Sequence, residues 1–181
     1  MRDGAEPTPH TLRGKGLAFA IAMAVTAFDL WSKAAVFDSL KLIGEKRWLF
    51  GTRWLGFMKV ENPGVMWGQL THWSGYLPWV RVVAAIIVIG MLRTTPPRAR
   101  LMQVSLGLVL GGALGNIYDG LFAGGKVRDF LMVDFGFKPF APFPIFNVAD
   151  SAICVGVGLL ALSMARDRPE ATAPDGPAPP A

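Results

Sequence analysis

A chain of 181 residues fits one domain; it is 52% apolar and only 17% charged, against ~45–50% and ~25% in a typical soluble protein. The net charge of +5 suits a protein lying against anionic lipid. Its basic residues line no single helix or strand, which argues against a nucleic-acid partner. The lone cysteine, Cys154, excludes an internal disulfide and reads as a small packed hydrophobe.

Residues 1–16 are polar, hold Pro7 and Pro9, and end near Arg13 and Lys15, as a cytoplasmic tail would. Leu17 to Phe37 is then apolar except for Thr26, Asp29, Ser32 and Lys33. A basic start before an apolar run also describes a cleaved signal peptide. Charges inside the run, and the hydrophobicity of the rest of the chain, favour a retained first helix. Asp38 to Trp73 mixes Lys, Arg, Trp, Phe and Gly around the turn signal Asn62-Pro63-Gly64. Trp54 to Met58 has strand character, and Trp48, Trp54, Trp67, Trp73, Tyr76 and Trp79 suit a membrane–water boundary. The stretch 38–73 therefore reads as a small extended region on the membrane surface.

A second helix is predicted over Pro78 to Leu92, interrupted only by Arg81, and a basic linker with Pro96-Pro97 ends it. The third, Leu101 to Phe122, carries Gly107, Gly111 and Gly115 at four-residue spacing, a bare face for a close neighbour. Ala123 to Pro144 is a Gly-, Phe- and Pro-rich loop with a strand at Lys126 to Phe135. A fourth helix comes next over Phe146 to Ala165, then a Pro- and Ala-rich tail, 166–181, of disordered composition. The fold class is thus all-α and membrane-embedded, a four-helix bundle with a small outer sheet, since a span needs ~20 mostly apolar residues. The short Arg93–Arg100 loop puts itself and both termini in the cytoplasm.

An ionisable group at membrane depth costs ~2.5–3.5 kcal/mol on insertion scales, so it needs a partner or a task. In the four-span layout Asp29, Lys33, Arg81, Asn116, Asp119, Asn147 and Asp150 all fall toward the outer ends of their helices, with Asp129 close by. Structural readings stand beside functional ones. Asp29 and Lys33, four apart, make an ion pair. Asn147 and Asp150 make a helix-start pair. Asp129 reads as a solvated loop residue beside Arg128, and Asn62 with Gly64 as a turn. A conducting or structural membrane subunit would instead spread such groups through the bilayer thickness.

Other hydrolytic chemistry lacks its residues. There is no His-Glu-x-x-His zinc site, and the two histidines, His10 and His72, lie in a tail and a loop. No Gly-rich phosphate loop occurs. Two carboxyls in low dielectric can share one proton and need no metal or cofactor.

Asp29-x-x-x-Lys33, Asn62-x-Gly64-x-x-Trp67, Gly111-Gly112-Ala113-Leu114-Gly115-Asn116-x-x-Asp119, Val127-x-Asp129-Phe130 and Phe146-Asn147-Val148-Ala149-Asp150 occur in that order. Over Leu17 to Ala165 the chain resembles lipoprotein signal peptidase (signal peptidase II). That resemblance implies an aspartic endopeptidase of the bacterial inner membrane with an extracytoplasmic β-cradle. Its substrate would be a diacylglyceryl prolipoprotein, cut just before the lipidated cysteine. The resemblance makes Asp129 and Asp150 catalytic, with Asp29, Lys33, Asn62, Gly64, Arg81, Asn116, Asp119 and Asn147 binding or supporting. It also implies membrane lipids as surroundings and globomycin as an inhibitor. The family commonly has Arg after the aspartate matching Asp119; here Gly120 stands there, and Arg128 is the candidate substitute.

Overall fold

The structure, a computed structural model, describes residues 12, 14–63, 75–137 and 143–166. Gly64, Trp67, Trp73, His10, His72 and both predicted tails apart from a few adjoining residues lie outside the described residues. Four helices form: α1 (Gly16–Ser39), α2 (Leu77–Thr94), α3 (Arg100–Phe122) and α4 (Val148–Arg166). Each is long and apolar enough to cross a membrane. Between them run β1 (Lys46–Trp48), β2 (Leu55–Asn62) and β3 (Val127–Val133), one antiparallel sheet in the order β1-β2-β3.

The predicted bundle and small sheet are both present, with shifted ends. α4 begins at Val148, not Phe146. Phe146 bridges Leu131 of β3, and Asn147 is spent as the cap. The third strand is shorter than predicted, and β1 carries no sequence signal. Cys154 is exposed on α4 rather than packed inside.

Helix α3 is the hub. It packs against α1, α2 and α4, and its span is the most buried of the four. Glycine makes this possible. A Cβ at Gly107 would stand 2.7 Å from the Ala18 carbonyl oxygen, and one at Gly111 2.7 Å from that of Ala22. At Gly112 it would collide with the Ala149 carbonyl of α4. The glycine face therefore carries α1, and its neighbour Gly112 admits α4. Thr26 Oγ1 donates across the α1–α3 seam to the Gly111 carbonyl at 3.0 Å. Leu92, Leu106 and Leu110 fill the inner core. Outward-facing Met23, Phe28, Trp31, Val83, Ile86, Val155 and Met164 stay exposed, which suits hydrocarbon and not water.

The sheet is fastened to the end of α1. Lys59 Nζ donates to the carbonyls of Phe37 (2.8 Å) and Leu40 (2.9 Å), two of the orphan acceptors at the helix C-terminus. Beneath it Val36, Leu40 and Phe130 form a second small core. β2 and β3 change register by one residue between Phe57 and Val60, a bulge.

The glycines sort into two classes. Gly90 and Gly158 face open space, so Gly→Ala there is expected to raise stability by ~0.5–1 kcal/mol through helix propensity. Gly111→Ala and Gly112→Ala are expected to lower it by ~1–3 kcal/mol through overpacking. Thermal unfolding in detergent measures both, and equal effects at the two classes would contradict the packing described.

Candidate active site

Four helix ends and the sheet bring the predicted polar residues to one level. Lys33 lies at the centre, fully buried. Its ammonium meets Asp29 Oδ2 at 2.6 Å, Asp119 Oδ2 at 3.1 Å and Asn116 Oδ1 at 3.0 Å. The i, i+4 pair read from the sequence is real, and it is part of a larger cluster that ties α1 to α3.

Asp29 reaches further. Its Oδ1 accepts the backbone N–H of Ala149 at 2.9 Å, so α1 satisfies an orphan donor in the first turn of α4. Asn147 satisfies another, its Oδ1 accepting the N–H of Asp150 at 2.9 Å. Asp150 Oδ2 accepts the N–H of Asn147 in return, at 3.3 Å. This reciprocal capping box is the helix-start reading, and it leaves Asp150 Oδ1 for the site. Asn116 Nδ2 donates to that oxygen at 2.8 Å.

Asp129 is not a solvated loop residue. It sits inside β3, 2% exposed. Asn147 Nδ2 donates to its Oδ1 at 2.7 Å, and Asn62 Nδ2 to its Oδ2 at 2.8 Å. One residue, Asn147, is thus hydrogen-bonded to both Asp129 and Asp150. Burial pushes the Asp129 carboxyl up to about 7, the Asp150 charge adds to the rise, and the Asn62 and Asn147 donors oppose it.

Arg81 lies in the first turns of α2, within electrostatic reach of Asp150, Asp129 and Asp119. A Cβ at Gly120 would stand 3.8 Å from Arg81 Nη1. Its tighter neighbours would be Pro78 Cγ and Cβ, at 3.2 and 3.3 Å. Arg128 holds Asp119: its backbone N–H donates to Oδ2 at 3.0 Å, and its Nε and Nη2 to Oδ1 at 3.0 and 2.6 Å. Position 128 adjoins Asp129, so this pin fixes the strand to α3 beside the buried carboxyl. The only sequence signal for Arg128 is the gap at Gly120. Among the described residues, no three His, Cys, Asp or Glu side chains are grouped to hold a metal.

Of the ten predicted site residues, nine are described, and all nine lie in or beside this cluster; Gly64 lies outside the described residues. Beside it, a cavity of about 440 Å³ opens between the start of α2 and the end of α3, lined by Pro78, Trp79, Gly120 and Leu121.

Comparison with known proteins shows the family. Residues 21–166 match the family described as signal peptidase (SPase) II. The chain is 42% identical over 146 residues to the lipoprotein signal peptidase of Geobacillus kaustophilus, covering 80% of this chain and 90% of that one. It is 34% identical over 157 residues to the lipoprotein signal peptidase of Alteromonas mediterranea, covering 84% and 82%. A bacterial membrane enzyme solved by the in meso method at 2.3 Å superposes with a TM-score of 0.74 at 27% identity, covering 87% of this chain and 94% of its own.

The buried cluster predicts its own mutants. Lys33→Met leaves Asp29 without a counter-charge, while Asp119 keeps Arg128, and is expected to cost ~3–5 kcal/mol of stability. Adding Asp29→Asn to Lys33→Met removes one uncompensated charge and should recover part of that loss. Unfolding of purified protein in detergent tests both; a double variant less stable than the single one would contradict the charge balance drawn here.

Proposed function

The chain belongs to the signal peptidase II family, and from that premise we propose that Asp129 and Asp150 form the catalytic pair that cuts diacylglyceryl prolipoproteins just before the lipidated cysteine. The coarser function comes from membership: a bacterial multi-pass membrane protease that removes signal peptides from prolipoproteins. The observation that carries the finer reading is the bridge by Asn147, which bonds both aspartates at once.

With the Asp129 carboxyl raised to about 7 by burial, it is the protonated member near neutral pH. Asp150 is then the ionised member, steadied by Asn116 and by the N–H of Asn147. A water between them gives its proton to Asp150 as its oxygen attacks the scissile carbonyl carbon. The Asp129 proton moves to the carbonyl oxygen, forming a tetrahedral diol. As the diol collapses the C–N bond breaks. Asp150 returns its proton to the leaving cysteine nitrogen, and Asp129 takes back a hydroxyl proton, so the pair ends as it began.

Arg81 supplies positive charge at the edge of the pair, and the cavity beside Gly120 offers room for substrate to approach from between α2 and α3. We place both termini in the cytoplasm and the aspartates near the outer face of the inner membrane. Globomycin is expected to bind at this same site.

Cleavage of a diacylated prolipoprotein by the purified protein tests the assignment. Asp129→Asn and Asp150→Asn are each expected to lower the rate by ~10²–10⁴-fold with little change in folding; near-normal turnover in either would refute it. The pH profile supplies an independent check. Asp129 loses its proton as pH rises through about 7, so the rate should fall about tenfold per unit above that point. Asn62 stabilises the ionised form of Asp129. Asn62→Leu should therefore move the alkaline limb to higher pH; a shift to lower pH would reverse the roles given to the two carboxyls.

A further inference from the structure

The far end of the sheet displays aromatic side chains that neither the bundle nor the aspartate site uses. Phe50, in the turn between β1 and β2, is 88% exposed, and its φ of 53° is a left-handed conformation that side chains other than glycine rarely adopt. Trp54 (56%), Phe135 (52%), Phe137 (58%) and Phe143 (37%) are exposed as well. They belong to one structure. The Trp54 carbonyl accepts the N–H of Asp134 at 2.8 Å, which joins the turn to the segment after β3. Phe135 contacts the rings of Phe137 and Phe143 at centroid distances of 6.2 and 5.9 Å, and Phe143 continues to Phe146 at 5.7 Å.

Phe146 gives this patch its level. It stands two residues before Val148, where the membrane-length helix α4 begins. The chain of rings therefore starts beside the first turn of a membrane-length helix and leads to the segment that follows β3. An exposed aromatic surface that leads from the start of a membrane-length helix, with exposed Arg53 beside Trp54, matches the chemistry of the headgroup–acyl boundary. Trp and Phe bury their rings there, and Arg keeps its charge in the headgroups. A strained phenylalanine held out from a turn fits the same account, because the bilayer rewards a ring that water does not.

We propose that this aromatic tip inserts into the headgroup zone of the leaflet at which α4 begins, and so clamps the free end of the sheet to the membrane. Lys59 already holds the sheet to α1. The tip supplies a second, lipid-borne support on the far side. The proposal is independent of which residues perform the cleavage.

Site-directed spin labelling of the full chain in phospholipid nanodiscs tests it. The single cysteine is removed by Cys154→Ala, and a nitroxide is attached at Phe50→Cys or, in a separate protein, at Phe135→Cys. Power saturation with oxygen and with a water-soluble nickel chelate gives each label's depth. Both labels are expected ~5–10 Å below the phosphate level. Labels as accessible to the chelate as free nitroxide in water would overturn the proposal. So would shielding that disappears when nanodiscs are loaded with one protein copy instead of two, since the patch would then be covered by a second copy. Two positions keep the test decisive if one substitution disturbs the turn.

Discussion

The site depends on one ammonium ion kept away from water. Lys33 has three oxygen partners and no exposure. An unpaired charge there would cost several kcal/mol, so the cation fixes where Asp29, Asp119 and Asn116 stand. Each of those passes the constraint on. Asp29 holds the first turn of α4, Asp119 holds Arg128 at the edge of β3, and Asn116 holds Asp150. The two aspartates of the pair thus take their places from a residue that touches neither of them by hydrogen bond.

Charge balance gives the same result from another direction. Lys33, Arg81 and Arg128 bring three positive charges to the cluster, and Asp29 and Asp119 two negative ones. The cluster is neutral when Asp129 and Asp150 together carry one more negative charge, which is the state with a single proton between them. A doubly ionised pair would leave an excess negative charge in a region of low dielectric, and a doubly protonated one an excess positive charge. The supporting charges and the proposed proton-sharing pair therefore form one electrostatic unit.

Much of this is legible in the sequence because charge in an apolar run is conspicuous. The four helices, the Asp29–Lys33 pair, the glycine face of α3 and the meeting of outer-end polar groups all come from spacing and hydrophobicity. The Asn147–Asp150 spacing shows a cap, yet a local rule has no means of showing that the cap is also half of the pair. That requires β3 to bring Asp129 alongside, a contact made across the sheet. β1 is invisible because a three-residue strand with every residue exposed has no alternation to read. The start of α4 is hidden because Phe146 continues the apolar run while its backbone pairs with Leu131. Arg128 sits in a strand whose ends the sequence does not mark, so its reach to Asp119 could be raised only as an alternative to the missing arginine.

The bulge in β2 sets the identity of the neighbour that Asp129 meets. Beyond it, Asn62 pairs with Val127 and Val60 with Asp129, which puts the amide of Asn62 on the carboxyl's side of the sheet. Carried on unbroken from Phe57 opposite Leu131, the ladder would set Glu61 against Val127 instead. A second acid would then crowd Asp129 where it now finds a donor. Strand length between Phe57 and Asn62 acts like a reading frame: the extra residue accommodated there brings Asn62, and not Glu61, to the carboxyl, and flattening the bulge with the strand at its full length would exchange an ally for a rival without altering any side chain of the pair.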